Sequence, residues 1–259
     1  MEAKDRIIVA LDVLDVEKAK ELVQMLSPYV GLFKVGLGFI WSSIANLLIF
    51  PESEAIDLLI KIRALAKEIG GEKCFLDGKF ADIPNTVKDA SVAVSRLGVK
   101  MFNVHASAGI EAIKAAVNNS MHIEKDLPGL DHGGPANFKR SLVLGVTVLT
   151  SIDEDECKSI FGDTPDQKVF YFALRLAQNK ADGIICSPQE LRFLSQYPQA
   201  AGDLIKVTPG VRPVWAAQGD QKRVMTPSEA IKVRGADYLV IGRPITNPPE
   251  EIGGPVEAA

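Results

Sequence analysis

Eight short apolar or β-branched runs recur along the chain, most of them followed by a stretch with helical patterning. The runs expected to form strands are Ile7 to Leu11, Leu32 to Val35, Cys74 to Leu76, Met101 to Val104, Leu142 to Val148, Gly183 to Cys186, Ile205 to Val207 and Tyr238 to Ile241. Such alternation is the signature of βα units on a parallel sheet. Eight of them favour a closed barrel over an open sheet, and 259 residues is an ordinary length for one. No Gly-x-Gly-x-x-Gly follows the first run, which removes the usual dinucleotide-binding alternative. The expected architecture is α/β: a single (β/α)8 TIM barrel spanning 1–259, with loop insertions near 41–53 and 119–139. The Pro- and Gly-rich tail leaves room for only a short final helix, or none.

Composition narrows the partners. A net charge of −4, with no basic run and no aromatic–basic interleaving, argues against nucleic acid. The charged N-terminal residues and the early Asp12 leave too little apolar length for a signal peptide core. The apolar stretch from Phe39 to Phe50 is too short for a membrane span. Cys74, Cys157 and Cys186 are scattered without metal spacing, as expected of reduced thiols in a cytoplasmic protein, and the histidines form no metal-ligand motif.

The chemistry is concentrated where the strands end. Asp77-Gly78-Lys79 follows an apolar run directly, and alternation along a strand places Asp77 and Lys79 on one face with Gly78 on the other. Opposite charges on an inner face are costly to desolvate unless paired or used. A structural ion pair, with Asp82 merely starting a helix, accounts for this run alone. The other strand ends carry the argument further. Asp12 ends the first, Lys34 lies in the second, His105 ends the fourth and Thr150 follows the fifth. In a βα barrel all these ends converge on one mouth, where active sites are built. Lysines among carboxylates stay protonated, which suits stabilising a developing anion and then protonating it. His105 reads more simply as a partner for neighbouring strand-end groups.

The loops after the seventh and eighth strands often bind phosphate in such barrels. Here they read Thr208-Pro209-Gly210-Val211-Arg212-Pro213 and Ile241-Gly242-Arg243-Pro244. Glycine lets the backbone approach an anion, and arginine supplies a forked charged donor.

These residues resemble the orotidine 5′-phosphate decarboxylases of the bacterial type. The similarity runs through Val9-Ala10-Leu11-Asp12, Phe33-Lys34-Val35-Gly36, the stretch from Phe75 to Thr86, and Asn103-Val104-His105. It continues through Val146 to Ser151, Thr208 to Pro213, Gly219-Asp220-Gln221, Val224 to Pro227 and Ile241 to Thr246. The resemblance implies a cytoplasmic, cofactor-free, metal-free homodimer that converts orotidine 5′-monophosphate to UMP and CO2, the last step of de novo UMP synthesis. It implies that Asp77 crowds the departing carboxylate and that Lys79 protonates C6. Lys34 and Asp12 would complete the charge array and hold the ribose hydroxyls. Asp82 would reach into the partner's site, and Thr150 would contact the pyrimidine edge. Arg212, Gln221, Gly242 and Arg243 would hold the phosphate. The whole signature, Asp77, Gly78, Lys79, Phe80, Ala81, Asp82, Ile83, Pro84, Asn85 and Thr86, would contribute to binding substrate.

The chain departs from the family pattern where Gly78 replaces an apolar residue and Ala81 replaces a histidine. Neither change removes a charge. Two other readings stand beside the first: a sugar-phosphate lyase of the same superfamily using the carboxylates to hold Mg²⁺, and an inactive barrel retained for binding.

Overall fold

The computed structural model describes residues 1–120, 140–216, 225–232 and 235–259. The strands are β1 (Ile7–Ala10), β2 (Leu32–Gly36), β3 (Cys74–Phe80), β4 (Met101–His105), β5 (Leu142–Val146), β6 (Gly183–Ile185), β7 (Ile205–Thr208) and β8 (Tyr238–Ile241). They pair in chain order, all parallel, and β8 closes on β1. The chain is a single (β/α)8 barrel.

Around the barrel lie α1 (Val16–Leu26), α2 (Leu37–Ile49), α3 (Glu52–Ile69), α4 (Pro84–Arg96), α5 (Ile110–Ser120), α6 (Glu154–Phe161), α7 (Pro165–Gln178) and α8 (Pro188–Leu194). The short α9 (Pro198–Ala201), α10 (Pro227–Lys232), α11 (Arg243–Thr246) and α12 (Pro255–Ala258) follow. Helix starts are written in the sequence. Asp15 accepts from Lys18 N at 2.8 Å, and Asp153 accepts from Glu156 N at 3.0 Å, satisfying amides that a first turn leaves open. Ser187 and Glu190 form a capping box ahead of α8, with proline at its first position.

Alternation along the strands builds two cores. Val9, Phe33, Phe102, Val143 and Ile184 face outward and pack under the helices. Ile8, Leu32, Phe75, Met101, Leu144 and Val207 face inward and plug the barrel's lower half. Moving two residues on along the inward face exchanges apolar for polar: Leu32 gives way to Lys34, Phe75 to Asp77 and Met101 to Asn103. The apolar plug thus forms a dry floor beneath a polar mouth.

Two expectations need correction. The stretch near 41–53 is not a loop: it is the body of α2, a break at Phe50-Pro51, and the start of α3. Leu, Ile and Ala are sound helix formers, but α2 is apolar nearly all round, so no periodic stripe announces it. Its outer side leaves Trp41 and Leu48 exposed. Strand β3 does not stop at Leu76 but continues to Phe80, through the charged residues that were expected to follow it. The expected insertion near 119–139 lies almost wholly outside the described residues, apart from Asn119 and Ser120 at the end of α5. The final helix is short, a single turn at Pro255–Ala258. No described helix is long and apolar enough to cross a membrane.

Candidate active site

A cavity of about 510 Å³ opens at the carboxyl ends of the strands, within the range of small-molecule sites. It is lined by Asp12, Lys34, Asp77 and Lys79, by Thr150 and Ser151 from the connection after β5, and by Arg212, Gly242 and Arg243 from the loops after β7 and β8. Apolar Val146, Ile185 and Val240 line it as well. A molecule that fills it meets both charged and apolar surface.

Asp77 is the hub of the charged wall. Its side chain is 8% exposed, and both of its oxygens face ammonium groups. Lys34 Nζ lies 3.0 Å from Asp77 Oδ2 and 3.2 Å from Asp12 Oδ1. Lys79 Nζ donates to Asp77 Oδ1 at 2.7 Å. Burial alone would push the Asp77 carboxyl up, but Lys34, Lys79 and a hydrogen bond from Asn103 outweigh it and hold it below its ordinary value. For Lys34 burial pulls the other way, and the carboxylates of Asp77 and Asp12 prevail, raising it. Asp77 and Lys34 thus keep each other charged.

Backbone geometry aims Lys79. Its φ is +45°, a left-handed conformation that costs a side-chain-bearing residue about 1–2 kcal/mol. Strand β3 is irregular here: Leu76 pairs with Phe102 and Phe80 with Val104, so the register shifts between them. Both Asp77 and Lys79 reach the cavity. Simple alternation predicted the same faces by a simpler route.

Gly78 and Phe80 lie in the same strand without lining the cavity; a Cβ on Gly78 would meet Leu76 and Phe80, on the outer side. Ala81, Asp82, Ile83, Pro84, Asn85 and Thr86 are all exposed, on the connection from β3 and the first turn of α4, and none lines this chain's own cavity. Asp82 accepts from Ile83 N at 2.7 Å. Gln221, with Gly219, Asp220 and Val224, lies outside the described residues. His105 does not line the cavity either; its Nδ1 sits 2.7 Å from Ser107 Oγ, and burial, then Lys79, lowers its pKa.

Sequence reasoning assigned no role to two residues that matter here. Cys186, at the end of β6, lines the cavity. Asn103 is wholly buried beneath it and touches both Asp77 and Lys79. An asparagine on the inward face of an otherwise apolar strand was the available signal, since buried polar groups need partners.

The loop after β7 is tied at its base: Arg212 N donates to Met225 O at 2.9 Å and Met225 N to Gly210 O at 3.3 Å. Gly210 takes a φ of +75°, which suits glycine in the turn that presents Arg212. Among the described residues no group of three or more His, Cys, Asp or Glu is arranged to hold a metal ion.

A closed parallel barrel with a lysine–carboxylate array at its mouth, facing two arginine-bearing loops, defines a (β/α)8-barrel enzyme with its site at the strand ends. Residues 5–253 match the family model described as orotidine 5′-phosphate decarboxylase / HUMPS family. The chain belongs to that family. It is 41% identical over 255 residues to the orotidine 5′-phosphate decarboxylase of Moorella thermoacetica, covering 97% of this chain and 90% of that protein. Identity to the enzyme of the same name from Heliobacterium modesticaldum is 42% over 252 residues, covering 96% and 92%. A crystal structure of orotidine 5′-phosphate decarboxylase from Lactobacillus acidophilus superposes with a TM-score of 0.70 at 31% identity, covering 97% of this chain and 94% of that one.

Proposed function

We propose that this chain decarboxylates orotidine 5′-monophosphate to UMP and CO2, without a cofactor, in pyrimidine biosynthesis. The observation that carries the reading is the position of Asp77 between two ammonium groups at the mouth of the cavity. As the C6–carboxylate bond breaks, CO2 leaves and its bonding electron pair stays on C6. Lys79 stabilises that developing carbanion and then gives it a proton, and solvent returns the proton to the amine. Asp77 crowds the departing carboxylate while keeping Lys34 charged. Asp12 and Lys34 take the ribose hydroxyls, Thr150 the pyrimidine edge, and Arg212, Gly242 and Arg243 the phosphate.

A lyase using Asp12 and Asp77 to hold a divalent cation fits the geometry less well, because Lys34 Nζ stands between their oxygens. The active form is a homodimer in the cytoplasm, in which Asp82 serves the partner's site. In support, Asp82 and Ile83 are exposed beyond β3 and do not line their own chain's cavity.

The test is an ultraviolet assay of the purified protein with orotidine 5′-monophosphate, which loses its orotate absorbance on decarboxylation. Turnover that persists in EDTA is expected. No turnover, or turnover abolished by EDTA and restored by Mg²⁺, would sink the reading.

A further inference from the structure

Asn103 lies on β4, fully buried and outside the cavity lining, with its carboxamide engaged at both ends. Nδ2 donates to Asp77 Oδ1 at 2.7 Å, and Oδ1 accepts from Lys79 N at 2.7 Å. Between the pairs Leu76↔Phe102 and Phe80↔Val104, β3 uses three residues (Asp77, Gly78, Lys79) where β4 uses only Asn103. The regular ladder is interrupted there, and the Asn103 side chain supplies the acceptor for the Lys79 amide.

We propose that Asn103 is a positioning residue: its carboxamide bridges the interruption in β3 and fixes the Lys79 backbone and the Asp77 carboxylate relative to one another. The inference rests on the reading of Lys79 as proton donor. Only a side chain with one donor and one acceptor at this length does both jobs. Aspartate lacks the donor, and alanine lacks both. Without the clamp, Asp77 Oδ1 loses one of its two donors, and Lys79 loses the bond that offsets its left-handed backbone.

The experiment measures kcat, KM and UMP affinity for Asn103→Ala, Asn103→Asp and Lys79→Ala. Asn103→Ala is expected to lower kcat on the order of 100-fold, as a small misplacement of a reacting group does, while UMP binds as in wild type. Asn103→Asp keeps the acceptor for Lys79 N and is nearly isosteric, so it carries the test if the alanine variant does not fold. Its turnover should recover as the pH is lowered, because the new carboxyl, once protonated, donates to Asp77 as the carboxamide does. The charged or titratable groups around it are Asp12 on the β1 side, Lys34 on β2, Asp77 and Lys79 on β3, and His105 on β4, and all of these are shared with wild type, whose profile should show no such recovery. Wild-type kcat in Asn103→Ala, or kcat and UMP affinity falling together, would overturn the proposal, as would Asn103→Asp showing no recovery at lower pH. If Lys79→Ala keeps its turnover, the proton-donor reading falls and takes this one with it. If Lys79→Ala is inactive while Asn103→Ala runs at the wild-type rate, the role of Asn103 alone fails.

Discussion

Lys79 Nζ rests 2.7 Å from Asp77 Oδ1 although the backbone between them leaves the regular strand path, with Lys79 at a φ of +45°. The contact is therefore set by the course of the main chain as well as by the attraction of two charges. A lysine held this way is oriented before any ligand binds.

If Lys79 is the proton donor, Lys79→Ala should lower turnover by many orders of magnitude while circular dichroism shows an intact fold. The side chain is 35% exposed, so its loss opens no large void in the core. A variant retaining a tenth of wild-type activity would rule out the assignment.

Asp82 can be tested by mixing subunits. Lys79→Ala and Asp82→Ala proteins should each be inactive, yet their mixture should regain activity, because one site of each mixed dimer then carries both defects and the other none. No recovery despite demonstrated subunit exchange would mean that Asp82 acts within its own chain.

Arg243 lines the cavity and holds the phosphate in the proposed binding mode. A charge-assisted phosphate contact contributes about 1.5–3 kcal/mol, so Arg243→Ala should lower kcat/KM at least about tenfold. Part of the loss should appear in kcat at saturation if phosphate binding energy is also used to reach the transition state. Guanidinium ion in solution should restore some of it. Unchanged kcat and KM would remove Arg243 from the phosphate site.

The buried pair gives stability a definite pH window. Asp77 has its carboxyl lowered from 3.8, so its contribution is complete above that value and is lost as pH falls through the lower folded one. Lys34 is raised from 10.5, so its contribution is complete below that value and is lost as pH rises through the higher folded one. Asp77→Ala should cost about 3–5 kcal/mol at neutral pH, because it leaves a buried ammonium poorly compensated. Asp12, whose side chain is 63% exposed, should cost under about 1 kcal/mol. Urea denaturation of the two variants decides; equal losses would show that burial does not govern the array.

Much of this site was legible because barrel topology turns strand ends into neighbours. Asp12, Lys34, Asp77, Lys79, Thr150, Arg212, Gly242 and Arg243 lie on or after six different strands and share one cavity. What escaped notice did so for physical reasons. Helix α2 has no polar face to mark its period. The extension of β3 was hidden because charges at an apolar run's end look like its termination. Asn103 was passed over because its importance lies in two hydrogen bonds to one irregular segment, and a single sequence does not display a register shift.

The ring of Phe80 occupies the space where a side chain at Gly78 would begin: a Cβ there would stand 2.7 Å from Phe80 Cε1. That ring also packs on Phe102, with centroids 5.9 Å apart, so it is not free to swing aside. A side chain at 78 and the ring at 80 therefore compete for one space. A mutational library that varies residue 78 alone should return mostly glycine, whereas one that also lets residue 80 shrink should recover larger apolar residues at 78. Relatives that carry an apolar residue at the first position therefore should seat the second differently.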